Sequence, residues 1–295
     1  MNCLLCPRSC AADRIDNVGF CGAPAEPAVS AICSHCGEEP PLCGTKGICN
    51  VFFAYCNLGC VYCQNKAIST PSASVRFRGV DAIVDAIAQQ LTLTENIVGF
   101  VTPSHYADHI PAIVEELRRR GLNPTTVYNT SGYDRVDTLK TLAPYIDIYL
   151  PDFKYMDADL AQRYSRAADY PAVALEAIKE MYAQKGAGLP VDDSGMAYRG
   201  IIVRHLVLPG QIDNTLAVLE QIAEVSPRLH VSLMAQYYPI ASSLPDQLGR
   251  LLTAEEYDRA VAHFHAVGLH RGWVQDRAAQ SAYRPDFSKQ QPFAL

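Results

Sequence analysis

Apolar residues recur along positions 80–93 at three- and four-residue steps: Val80, Ile83, Val84, Ile87 and Leu91 form one stripe of an amphipathic helix. Similar patterns over residues 107–120, 213–225 and 254–267 predict further helices. Short runs rich in β-branched and aromatic residues lie at 50–54, 97–101, 125–128, 146–150, 201–208 and 230–234, and these predict strands. Strands alternating with helices are the order of βα units around a parallel sheet, and about six such units follow one another. A barrel, complete or open, accommodates roughly 200 to 250 residues of this kind. Proline, glycine and aspartate mark loops at 189–195 and 242–246, and the stretches 189–197 and 241–248 are polar enough to act as covers over a rim. No internal repeat or low-complexity tract interrupts the pattern.

Composition narrows the class. The chain has 295 residues, 49% of them hydrophobic, which is too apolar for a disordered chain. No uninterrupted run of about 18 apolar residues is present to cross a bilayer. The start, Met1-Asn2-Cys3-Leu4-Leu5-Cys6, lacks a basic stretch followed by an apolar one, so the expected location is cytoplasmic, with no membrane partner. A net charge of −6 argues against a broad phosphate-binding surface, and nucleic acid is not an expected partner. The basic cluster Arg118-Arg119-Arg120 ends a predicted helix, where cations answer the macrodipole.

Cysteine changes the picture most. All 11 cysteines fall within the first 63 residues, and residues 64–295 contain none. An odd thiol count in a chain with ample core points to metal or cluster ligation rather than a disulfide framework. Cys56, Cys60 and Cys63 stand at x3 then x2 spacing directly after the first predicted barrel strand. Thiolates are soft ligands that select iron–sulfur clusters or zinc, and three of them on a four-iron cube leave one iron open. A structural zinc site is normally closed by a fourth ligand, for which Cys43 or Cys49 could serve. Gly59 reads as the residue that permits the tight turn between ligands.

The run Cys56-x3-Cys60-Val61-Tyr62-Cys63 resembles the signature of the radical S-adenosylmethionine (SAM) superfamily, with Tyr62 in the aromatic position. Further segments resemble the group related to pyruvate formate-lyase activating enzyme: Gly37-Glu38-Glu39-Pro40-Pro41, residues 127–133, and Tyr149-Leu150-Pro151-Asp152-Phe153-Lys154. The resemblance implies an α/β fold, specifically a partial (open) TIM-like (β/α)6 barrel over residues 50–295 with a cysteine-rich N-terminal extension over residues 1–49. It implies a 4Fe-4S cluster on Cys56, Cys60 and Cys63, and SAM as cofactor. Asp152 and Lys154 match an Asp-x-Lys motif near SAM; their spacing puts both on one face of an extended segment, where an ion pair is the alternative reading. These activating enzymes usually carry Gly-Gly-Glu after the second strand, but here the chain reads Val101-Thr102-Pro103-Ser104-His105-Tyr106. Thr102, Ser104 and His105 become candidate acceptors for the methionyl amine, and Asn129 and Ser131 become candidate hydrogen-bonding partners of the ribose or carboxylate. His105 could equally be a capping or solvent-bonded residue. Arg204 would suit the SAM carboxylate, or else form a buried ion pair.

Two cysteine quartets remain. Cys3, Cys6, Cys10 and Cys21 resemble an N-terminal segment of the same group, while Cys33, Cys36, Cys43 and Cys49, with His35 as a substitute, form a less regular second set. Either could close a tetrahedral site, as a second iron–sulfur cluster or zinc. The activity implied is reductive cleavage of SAM to a 5′-deoxyadenosyl radical for hydrogen abstraction. The implied substrate is a glycyl radical enzyme, and the electron donor a flavodoxin or ferredoxin. Modification of a small molecule or another peptide, and a non-catalytic iron–sulfur carrier or scaffold, stand as alternatives.

Overall fold

A computed structural model describes residues 3–241, 244–281 and 284–293. The strands are β1 (Ala28–His35), β2 (Ile48–Phe53), β3 (Phe77–Arg78), β4 (Ile97–Val101), β5 (Thr125–Thr130), β6 (Ile148–Pro151), β7 (Gly200–Leu206), β8 (His230–Met234) and β9 (Gly272–Val274). The helices are α1 (Pro40–Cys43), α2 (Val80–Leu91), α3 (Ile110–Arg119), α4 (Val136–Leu142), α5 (Ala158–Ser165), α6 (Tyr170–Lys185), α7 (Ile212–Val225) and α8 (Ala254–Ala266). Among the described residues the strands form one sheet in the order β3-β1-β2-β4-β5-β6-β7-β8-β9. From β2 to β9 every pairing is parallel, whereas β1 runs antiparallel to both β2 and β3. The result is an open, partial βα barrel with a cysteine-rich N-terminus, as the alternation of patterns requires.

All six predicted strands form. The sheet is wider than predicted, because β1 and β3 extend one edge and β9 adds a seventh parallel strand at the other. Strand alternation sorts the side chains. In β2, Cys49, Val51 and Phe53 pack outward in the main core with Ile83, Val84 and Ile87 of α2, the predicted stripe. The lumen-facing set includes Ile48, Ile97, Val127, Ile148 and Ile202, which fill the lower barrel. Burial on both faces explains why these strands read as continuous apolar runs rather than alternating ones.

Helix ends follow local chemistry. Asp157 caps α5 by accepting from Asp159 N and Leu160 N, and Thr253 with Glu256 closes a capping box on α8. At the end of α3, Arg119 and Arg120 pair with Glu116, so the basic cluster is an ion-paired helix terminus.

The loop at 189–197 does not cover the rim. It precedes β7, and a helix-to-strand connection necessarily lies at the N-terminal ends of parallel strands. Leu189, Met196 and Ala197 plug the lower lumen, and Ala197 N donates to Pro41 O at 2.8 Å. In the loop at 241–248, Ser242 and Ser243 lie outside the described residues. Asp246 of that loop accepts from Tyr164 OH at 2.6 Å, tying it to α5.

Candidate active site

The C-terminal ends of the parallel strands surround a cavity of about 670 Å3, within the range of small-molecule sites. Each strand contributes its lumen-facing position at the rim. Thr102 follows β4, Asn129 and Thr130 end β5, Asp152 follows β6, Arg204 and Leu206 end β7, and Met234 ends β8. Cys56, Cys60 and Cys63 line the same space from the loop after β2.

That loop is built to hold three thiols inward. Tyr55 turns the chain with φ of 71°, and its N–H donates to Ile68 O at 2.7 Å, closing the loop at its base. Val61 N donates to Tyr164 O at 2.8 Å, which hangs the loop on α5. Gly59 has no left-handed backbone, so the tight turn falls to Tyr55. A side chain at Gly59 would instead meet Arg166 Cδ at 3.3 Å, and glycine clears that contact.

Polar groups reach the sulfurs. Ser165 Oγ lies 3.0 Å from Cys60 Sγ, Ser69 Oγ donates to Cys63 Sγ at 3.4 Å, and Leu58 N donates to Cys56 Sγ at 3.4 Å. Burial pushes the Cys56 and Cys60 thiols up, with the neighbouring cysteines adding to the rise at Cys56 and Lys154 opposing it at both. Without metal, Cys56 and Cys60 therefore stay protonated near neutrality, and ligation displaces those protons. Tyr62 lines the cavity beside the three cysteines; its hydroxyl pairs with Tyr155 OH at 2.6 Å, and Tyr155 OH lies 2.9 Å from Ser165 Oγ.

Asp152 and Lys154 occupy one face as their spacing requires, joined at 2.5 Å between Lys154 Nζ and Asp152 Oδ2, with Phe153 buried on the other face. Burial disfavours the Lys154 charge, but Asp152 and the Cys60 sulfur outweigh it and hold the ammonium in its charged form. Gly132, with φ of 77°, lets this segment approach: a Cβ there would lie 2.3 Å from Asp152 O. Ser131 Oγ borders the cavity and is buried without a hydrogen-bond partner among the described residues.

Ser104 and His105 are not brought to the cavity. A 3-10 turn after Pro103 buries them at the strand ends, where Ser104 Oγ meets Thr130 Oγ1 at 3.1 Å and His105 Nε2 meets Ala54 O at 2.7 Å. Burial pulls the His105 imidazole down to about 4, so it is neutral at pH 7.

Arg204 faces the cavity, but its guanidinium is engaged. Nε and Nη2 hold Glu39 at 2.8 and 2.5 Å, Nη2 also meets Glu38, and Asn50 Nδ2 donates to Glu38 at 2.7 Å. Glu38 and Glu39 follow β1 in the Gly-Glu-Glu-Pro-Pro segment, and periodicity carried no sign of them as site residues. Their signal was two adjacent acids directly before a Pro-Pro pair.

The quartets part ways. Cys3, Cys6, Cys10 and Cys21 share one neighbourhood, in which Cys6 senses the charges of Cys21 and Cys3, and Cys21 those of Cys3 and Cys10. The second set does not assemble. Cys33 and Cys49 sit on adjacent paired strands but enter separate cores on opposite faces of the sheet, while Cys36 and Cys43 stand at the cavity edge. Among the described residues no three Cys, His, Asp or Glu side chains meet closely enough to grip a single metal ion. Thiolates on separate irons of a cube stand further apart than ligands around one ion, so the trio facing one cavity fits a cluster's donor set.

This arrangement defines a class: a βα-barrel protein that gathers three cysteine thiols beside a cavity at its C-terminal face. Residues 50–223, more than half of the chain, match the family model described as the radical SAM superfamily. An uncharacterized protein of Methanocaldococcus jannaschii is 29% identical over 274 residues, covering 88% of this chain and 73% of that protein. Among solved structures the chain is similar to Streptococcus suis SuiB bound to S-adenosylmethionine, with TM-score 0.46 and 13% identity over 72% of this chain and 42% of SuiB. It therefore spans less than half of the SuiB chain. It is also similar to a domain of pyruvate-formate lyase-activating enzyme from Bacteroides vulgatus, with TM-score 0.39 and 14% identity over 58% of this chain and 93% of that domain.

The chain belongs to the radical SAM superfamily. Membership implies an enzyme with a 4Fe-4S cluster and S-adenosylmethionine as cofactors. Among the described residues no helix is long and apolar enough to cross a membrane.

Proposed function

We propose that Cys56, Cys60 and Cys63 hold the cluster, that the rim of β5 and β6 holds S-adenosylmethionine, and that the enzyme abstracts hydrogen from a glycine of a partner protein. The observation that carries this reading is the convergence of the three thiols and the Asp152–Lys154 pair on one cavity. When bound, the cluster with SAM supplies a reductively generated 5′-deoxyadenosyl radical and methionine. The chain's own residues position and shield. Lys154 spends one N–H on Asp152 and keeps others for a carboxylate or ribose hydroxyl. Asn129 and Ser131 add an amide and a hydroxyl from the neighbouring rim, and the buried, unpartnered Ser131 oxygen is a natural site for a ligand polar group. Thr102 lines the same wall with φ of 55°, a strained strand end of the kind that accumulates at functional sites.

The Asp-x-Lys pair at a strand end supports an activating-enzyme role, and hence a protein substrate with a flavodoxin or ferredoxin as reductant. The test is anaerobic reconstitution with iron and sulfide, chemical reduction, and chromatography for 5′-deoxyadenosine. Wild type should form the nucleoside and Cys60→Ala should not. Lys154→Met should keep its iron but raise the KM for SAM roughly tenfold or more, the value of a lost charged hydrogen bond. No nucleoside from iron-replete wild type would favour an electron carrier instead. Spin resonance on a partner captured anaerobically with SAM should show a stable carbon radical on protein, and nucleoside without that radical would favour a small-molecule or peptide substrate.

A further inference from the structure

Residues 3–21 fold back on themselves as a hook. Cys3 N donates to Ala12 O at 2.9 Å, Ala11 N to Cys3 O at 3.2 Å and Ser9 N to Cys6 O at 3.1 Å. Ser9 and Ala11, on either side of Cys10, hold left-handed backbone with φ of 43° and 52°, which non-glycine residues keep only where their surroundings demand it. A Cβ at Gly19 would lie 2.5 Å from Cys10 Sγ, so glycine leaves room for that sulfur. The four thiols so gathered run from surface to interior: Cys10 is exposed, Cys3 and Cys21 are half-buried, and Cys6 is buried.

The inner end of this series abuts the SAM-cluster loop. Cys6 hydrogen-bonds the side chain of Asn57, and Asn57 Oδ1 lies 4.0 Å from Cys56 Sγ. Asn57 is fully buried, held by its own bond to Tyr133 O at 2.9 Å. Arg8, between Cys6 and Cys10, donates to Asn57 O at 2.9 Å and to Ser165 O at 3.2 Å, and Ser165 Oγ in turn touches Cys60. One buried residue thus separates the quartet from the trio. A purely structural ion explains the hook but gives no reason for a graded path from solvent to Cys56.

We propose that Cys3, Cys6, Cys10 and Cys21 ligate a second four-iron cluster that takes an electron at the exposed Cys10 side and passes it through Cys6, Asn57 and Cys56. This rests on the reading above that Cys56, Cys60 and Cys63 hold the SAM cluster. A one-electron donor of the flavodoxin or ferredoxin class is oxidised, the second cluster is reduced and then reoxidised, and the SAM cluster gains the electron. No bond forms or breaks and no proton moves in the relay.

Two variants of the full chain, reconstituted anaerobically, test it. The triple change Cys56→Ala, Cys60→Ala, Cys63→Ala isolates the quartet; it should keep about four irons and four sulfides, roughly half the wild-type load, with a reduced-state spin signal that SAM does not alter. The double change Cys10→Ser, Cys21→Ala should lose about half the iron and keep a signal that SAM does alter. It should form 5′-deoxyadenosine normally with a chemical reductant, but at least tenfold more slowly with reduced flavodoxin. The proposal is overturned if the triple variant holds no iron, if it holds zinc instead, or if flavodoxin reduces the double variant at the wild-type rate. Failure of the SAM-cluster reading shows separately, as no nucleoside from wild type with the chemical reductant.

Discussion

Replacing Arg204 by methionine removes the guanidinium that faces two buried carboxylates while keeping much of the apolar stem. The side chains of Arg204, Glu38 and Glu39 are 12%, 7% and 4% exposed, so solvent screens the group little. Breaking a buried pair from one side costs about 3–5 kcal/mol, because the charge left behind is uncompensated. At about 2–3 °C per kcal/mol for a chain of this size, the melting midpoint at pH 7 should fall by roughly 6–15 °C. The pH dependence makes the test specific. In the native protein burial pushes the Glu38 carboxyl up, but Arg204, His35 and hydrogen bonds from Arg204 and Asn50 together outweigh it and hold it at about 2 instead of 4.5.

Because the folded value lies below the unfolded one, Glu38 stabilises the wild type above about pH 4.5 and loses that contribution as pH falls toward 2. Without Arg204 burial dominates, the folded carboxyl rises above 4.5, and the sign reverses: protonation then favours the folded state. The deficit of Arg204→Met should therefore shrink as pH falls from 7 to 4. Anaerobic thermal unfolding followed by near-UV circular dichroism at several pH values measures both effects. A variant melting within about 2 °C of wild type at pH 7, or one whose deficit grows on acidification, would refute the reasoning.

Ser165→Ala removes the hydroxyl 3.0 Å from Cys60 Sγ, a contact that favours the more electron-rich cluster. At about 1 kcal/mol for that hydrogen bond, the SAM-cluster midpoint should drop by about 40 mV in a spin-monitored redox titration, and an unchanged or higher potential would count against ligation by Cys60. Gly132→Ala forces a left-handed residue and a contact 2.3 Å from Asp152 O, so stability in denaturant should fall by about 2 kcal/mol or more. SAM affinity measured by calorimetry should weaken with it, since Asp152 must move; retained affinity in a destabilised variant would separate Asp152 from cofactor binding.

The cysteine loop and the strand preceding it were legible because ligand spacing and strand period are local properties of the chain. The same holds for the α2 stripe and for the common face of Asp152 and Lys154, which needs only a period of two. Gly59 was misread as a turn residue because its need for smallness comes from Arg166, over a hundred positions away. The 189–197 loop was misplaced because polarity says that a segment is a loop but not which end of the barrel it closes. β9 and α6 were overlooked for opposite reasons, one being three residues long and the other lacking a clean apolar stripe in 16 residues.

Residue identity and spacing alone determined that this is an alternating α/β chain with three closely spaced cysteines after its first parallel strand, since each of those signals is read within a few residues. The folded sheet decided the rest: which carboxylates meet Arg204 across 165 positions, why His105 turns inward, and how the Cys6 hook comes to rest on Asn57. Such pairings depend on register and on which faces of distant strands oppose one another, and no local periodicity encodes them.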